Sequence, residues 1–191
     1  MILYKNVDIC DLESICENGI LSIDECGNNN WNDGKRSDNS TSVVYLFSPV
    51  KNQNSFPNYG VALLEVDCPE ATEHEMSDMD IHKDDYTEYV TTKVHPSQIK
   101  RILIPEIFKP YINVSKSITV CWCGIETDCW TESGHNKASN EILEKFARTA
   151  KLMTSDSFNF FRGTNDDNTM IDLENIRYIF DWQHTIIYIY L

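Results

Sequence analysis

Asp85-Tyr86-Thr87-Glu88-Tyr89-Val90-Thr91-Thr92-Lys93-Val94-His95-Pro96-Ser97-Gln98-Ile99-Lys100-Arg101-Ile102-Leu103-Ile104-Pro105 reads as strand, turn, strand. Alternate residues of a strand share a face. Tyr86, Glu88, Val90, Thr92 and Val94 are therefore expected on one side, with Tyr89, Thr91 and Lys93 on the other. Glu88 stands at the start of a face that goes on to bury valines. An acid there sits where a core opens into a cleft, the setting in which carboxylates do chemistry. The alternative is a rim glutamate at a strand end that reaches water, as most carboxylates do.

Working outward, Met1-Ile2-Leu3-Tyr4-Lys5 reads as a short strand. Asp8 is placed to cap a helix carrying Leu12, Ile15 and Cys16 on one face, which Asn18-Gly19 closes. The chain from Asp24 to Thr41 is nearly all polar apart from Trp31. Ser42 to Phe47 and Val61 to Val66 are β-branched and apolar, and read as strands, the second of them central. Residues 50–58 read as loop, and the acidic residues 67–85 as a solvated connection. A strand is expected over 117–124, a helix over 140–153 capped by Ser139, and a helical or mixed segment from Asp172 to Phe180. The apolar run His184 to Leu191 reads as a last strand. The expected division is a β-rich part over 1–112 and a mixed α/β extension over 113–191 packed on the same core.

The chain has 191 residues, 41% of them hydrophobic, with four Trp, nine Tyr and eight Phe, which is enough for a well-buried core. The quickly polar N-terminus does not resemble a signal peptide, and no run approaches the ~18 apolar residues that span a bilayer. A cytoplasmic protein is expected. Seven cysteines in that setting favour reduced thiols. Cys121, Cys123, Cys129 and His135 could be offered as a zinc site, but the pair Cys121 and Cys123 is spaced like same-face strand residues rather than structural zinc ligands. No metal is expected. The net charge of −14 argues against direct nucleic-acid binding, which needs a basic footprint. Ten acids lie between Glu65 and Glu88 against one lysine, Lys83. Between Val90 and Thr119 the one acid is Glu106, beside Lys93, Lys100, Arg101, Lys109 and Lys116. Such an asymmetry can steer a partner or a phosphate-bearing ligand, or simply keep the protein in solution.

The order of segments resembles the ADP-ribosyltransferase fold over about residues 2–105. Leu3-Tyr4-Lys5 precedes Leu12-Glu13-Ser14-Ile15-Cys16-Glu17-Asn18-Gly19-Ile20-Leu21, similar to the family's first strand, helix and glycine turn. Val43-Val44-Tyr45-Leu46 is similar to its "vYl" strand, and Tyr59-Gly60-Val61-Ala62-Leu63-Leu64-Glu65-Val66-Asp67 to the next. Glu88-Tyr89-Val90 and His95-Pro96-Ser97-Gln98-Ile99-Lys100-Arg101-Ile102 match the glutamate-led strand and its sequel. The resemblance implies an α+β fold, a mixed or antiparallel β-sheet core with flanking helices. It implies NAD as a substrate and ADP-ribose transfer to a macromolecule, expected to be a protein. Glu88 would stabilise the oxocarbenium-like transition state, Tyr45 would stack on nicotinamide, and Lys5 would grip the adenosine side of NAD. These three residues must then meet in one cleft. Two positions depart from the pattern. The family expects His or Arg at Lys5, and Glu or Gln often stands at Tyr86, two residues before the glutamate, where a tyrosine on the NAD site leaves the acceptor open.

Two other readings stand beside this one. A small acidic chain can act as a non-catalytic inhibitor or interaction protein, presenting residues 65–88 in place of nucleic-acid phosphates. A thiol hydrolase would use Cys129 with His135 or His184, but nothing in the sequence near Cys129 supplies the depressed pKa or oriented base it needs. His74, His82 and His95 are expected as surface residues.

Overall fold

In strand β1 (Ile2–Val7) Leu3, Asn6 and Val7 are buried and Tyr4 and Lys5 half-buried, so both faces of the strand are covered. The computed structural model describes residues 1–7, 9–27, 39–50, 53–55, 62–78, 83–110, 114, 117–128, 169–172 and 177–181. After β1 a 3₁₀ turn (Ile9–Asp11) leads into helix α1 (Leu12–Asn18), whose Leu12 and Cys16 are buried. Asp11, not Asp8, occupies the position before the helix. Gly19 ends it at φ 80°, its N–H donating to the Ile15 carbonyl at 2.8 Å. Strand β2 (Ile20–Leu21) and a single turn of helix, α2 (Ile23–Cys26), follow.

The remaining strands are β3 (Val44–Pro49), β4 (Gln53–Ser55), β5 (Ala62–Asp67), β6 (Thr72–His74), β7 (Tyr86–Thr91), β8 (Lys93–Val94), β9 (Ile99–Pro105), β10 (Thr119–Asp128), β11 (Thr169–Asp172) and β12 (Arg177–Asp181). Ten of the twelve strands among the described residues form one sheet in the order β4-β11-β12-β10-β9-β5-β1-β3-β7-β6, and β2 and β8 make a separate ribbon. Pairing is antiparallel except where β10 lies parallel to β9 and to β12. The protein is therefore α+β, with a mostly antiparallel sheet and few helices among the described residues.

Three stretches differ from the sequence expectation. Gln53–Ser55 is a strand, not loop, and pairs with β11. Asp172 ends a strand, and the following described residues form β12 rather than a helix. Thr72–His74, inside the acidic connection, pairs with β7 at the sheet edge. The regions 140–153 and 184–191 lie outside the described residues.

Register divides the sheet into two faces. Lys5, Leu64 and Ile102 are partners across β1, β5 and β9, as are Leu3 and Val66. Leu46 pairs with Tyr89 and Val44 with Thr91. This face is mostly aliphatic, and Leu3, Val44, Leu46, Leu64, Val66 and Ile102 join Leu12 and Ile20 in the core. Burying side chains of this size is worth about 1.5–3 kcal/mol each. The expected run of one face from Tyr86 to Val94 is broken at Thr92, an exposed bend. Val94, fully buried, belongs to β8 and pairs with Ile20. Within β7 it is Thr91 that is buried on the aliphatic side, so Glu88 lies on the opposite one.

Candidate functional site

On that other face a single rung crosses seven strands. Thr119 pairs with Arg101, Arg101 with Glu65, Glu65 with Tyr4, Tyr4 with Phe47, Phe47 with Glu88, and Glu88 with His74. Directly opposed residues in a sheet have neighbouring side chains, so the rung is a row of adjacent side chains. Glu65 Oε2 accepts from Arg101 Nε at 2.9 Å and from the Tyr4 hydroxyl at 3.3 Å. Arg101 Nη2 lies 2.7 Å from the same oxygen. The Tyr4 and Phe47 rings are 6.1 Å apart, and Phe47 stands 5.5 Å from Tyr86. Burial first, and then the negative charge of Glu65, raise the Tyr4 hydroxyl above its ordinary pKa. The Glu65 hydrogen bond raises Arg101 as well, keeping the guanidinium charged.

Glu88 is 2% exposed, so it is not a rim residue open to water. Its Oε2 lies 2.9 Å from His74 Nδ1, and the His74 side chain is 41% exposed. The Tyr45 ring meets His74 edge-on, centroids 5.6 Å apart at 88°. The Tyr45 hydroxyl accepts the Ser40 N–H at 2.8 Å, which ties the ring to the chain entering β3. A buried carboxylate thus pairs with a half-exposed imidazole, the Tyr45 ring lying against the imidazole and Phe47 standing in register with the carboxylate.

Of the four residues singled out in the sequence, Tyr45, Tyr86 and Glu88 come together on this face. Tyr45 and Tyr86 flank Phe47 through ring contacts or strand neighbourhood, and Phe47 is Glu88's cross-strand partner. Lys5 is one residue out of phase with Tyr4 and so belongs to the aliphatic face. Its Nζ donates to the Tyr45 backbone carbonyl at 3.1 Å. The β1–β3 pairing has a single partner pair, Tyr4–Phe47, and the lysine reaches across beside it.

His74 is the residue that sequence reasoning missed. Thr72-Glu73-His74 has no apolar alternation and sits among acids, so only its cross-strand position opposite Glu88 reveals it.

The thiols offer less. Burial first, and the neighbouring Cys121 second, push Cys123 up to about 12. Cys121 is half-buried on the same strand, while Cys129, His135 and His184 lie outside the described residues. Among the described residues no group of three His, Cys, Asp or Glu side chains has the geometry to hold a metal ion. No helix among them is long and apolar enough to cross a membrane. No protein-family model matches the chain, and no curated protein and no solved structure matches it.

Proposed function

We propose that the protein is an ADP-ribosyltransferase-like enzyme that transfers ADP-ribose from NAD to a macromolecular acceptor, expected to be a protein. The observation that carries this reading is Glu88, 2% exposed, on the same face as Tyr45 and Tyr86. Departure of nicotinamide leaves positive charge on the ribose, and a carboxylate in a water-poor setting opposes that charge without reorganising. Tyr45 offers an aromatic surface for the nicotinamide ring. Lys5, which the resemblance requires in the same cleft, lies on the aliphatic face and does not meet Glu88 there. The grip on the adenosine side of NAD is therefore withdrawn from it, and the reading rests on Glu88, Tyr45 and Tyr86. The test is nicotinamide release and ADP-ribose labelling on incubation with NAD and cell lysate. Glu88→Gln, which preserves shape, is expected to lose on the order of 10²–10³-fold in rate, the range for removing one preorganised stabilising group. Absence of nicotinamide release in the wild type, or an unchanged rate in Glu88→Gln, would sink the reading.

A non-catalytic interaction protein is the second reading. It is favoured by the place of β6 at the sheet edge, where Glu70, Glu73, Glu75 and Asp78 are exposed. An edge strand is a template for pairing, and flanking charge selects the partner. Reversing the charge of Glu73, Glu75, Asp78, Asp84 and Asp85 then removes partner binding, while Glu88→Gln leaves the biological activity intact.

A further inference from the structure

We propose that His74 is the proton-accepting residue of this site, held for that task by Glu88, and that the acceptor it serves is a hydroxyl group. The chemistry rests on the ADP-ribosyl transfer reading; the geometry of the pair does not. β6 sets His74 directly across from Glu88, with Nδ1 2.9 Å from Oε2. An ionised carboxylate carries acceptors only, so against a singly protonated ring this bond sets the proton on Nδ1 and leaves the lone pair on Nε2. The two members differ sharply in access: Glu88 is 2% exposed, and the His74 side chain 41%. A proton donor arriving from solvent therefore meets the imidazole first. The edge-on Tyr45 ring restrains the imidazole from a third strand. An acid that orients a base, and a base turned toward the substrate, is an arrangement that activates a weak nucleophile.

A hydroxyl is such a nucleophile, since it attacks poorly until its proton has somewhere to go. A carboxylate acceptor has no proton to surrender and gains nothing from a base. In the step that follows, the bond from ribose C1′ to the nicotinamide nitrogen breaks. Both electrons go to the ring nitrogen, and neutral nicotinamide leaves. The acceptor oxygen bonds to C1′, its proton passes to His74 Nε2 and then to solvent, and Glu88 faces the imidazolium meanwhile. The hydroxyl belongs either to a protein side chain or to water.

Long-range proton–nitrogen NMR of the intact chain reads the tautomer directly, at a pH alkaline enough for the ring to carry one proton. The Nδ1–H form is expected at His74, and the Nε2–H form overturns the dyad. Turnover is then followed with NAD and a serine-containing peptide, with ADP-ribosyl peptide and free ADP-ribose measured separately. His74→Gln is expected to keep NAD affinity and melting temperature but to lose on the order of 10²–10⁴-fold in turnover, the usual span for general-base help. The loss falls on the peptide product if the acceptor is a side-chain hydroxyl, and on free ADP-ribose if it is water. Unchanged turnover in His74→Gln overturns the proposal. A wild type that releases no nicotinamide overturns the transfer reading and the acceptor with it, while the tautomer still decides the dyad.

Discussion

A carboxylate removed from water must be compensated by partners, and the cost of leaving it without them is several kcal/mol. Glu88 meets that demand in part with His74, a residue fourteen positions earlier in the chain. The glutamate itself was legible, because it opens an alternating apolar strand. Its histidine was not, because polar residues in an acidic stretch carry no periodicity from which a strand can be inferred. Lys5 shows the reverse: the family resemblance made it a ligand for NAD, but a one-residue phase difference puts it on the aliphatic face, bonded to Tyr45's carbonyl. Cys123 gives a prediction at this scale. A thiol pushed up to about 12 keeps its proton in the folded chain at a pH where the unfolded chain, near 9, has lost it. Its contribution to stability is therefore intact below pH 9 and lost as pH rises from there toward 12. Urea midpoints of the wild type are expected to fall more steeply over that range than those of Cys123→Ala. At neutral pH, native-state alkylation mapped by mass spectrometry should label the exposed Cys26 while sparing Cys123.

Among the elements, the turn after α1 joins three parts of the fold. Gly19 adopts φ 80°, a left-handed value that favours glycine, and a methyl group there would run into the Val94 carbonyl oxygen. That carbonyl belongs to β8, which pairs with β2 immediately after the glycine. Gly19→Ala thus strains the backbone and drives apart the ribbon that anchors α1. It is expected to cost about 3 kcal/mol or more, measured by chemical denaturation, which is large for a single methyl. This turn was legible as Asn18-Gly19 after a helical period. The ribbon was not, because a two-residue strand has no pattern of its own. Its partner's register appears only once Thr92 has bent out of line.

Across the whole molecule, the reading of an α+β chain held because the strongest strands, β3, β5, β7 and β9, each announce themselves locally. Their order in the sheet could not be read that way. β9 and β10 are parallel, and β4 pairs with β11, more than a hundred residues away; such partners are chosen by the assembled core rather than by neighbours. Net charge is the other property of the whole. At −14 the folded chain repels itself, and salt screens that repulsion by shortening the Debye length from ~30 Å at 0.01 M to ~8 Å at 0.15 M. The melting temperature is therefore expected to rise over that range in a calorimetric scan. A fall would mean that favourable ion pairs such as Arg101–Glu65 outweigh the repulsion.

The central position of β1 has a consequence in time. Its two neighbours in the sheet are β3 and β5, drawn from residues 44–49 and 62–67. During synthesis Ile2–Val7 emerges ahead of both, so its β3 side waits for residue 49 and its β5 side for residue 67. Strand β1 thus has both its partners by residue 67, whereas β3 still waits for β7 and β5 for β9, so β5-β1-β3 can close first and offer two open edges to the strands made later.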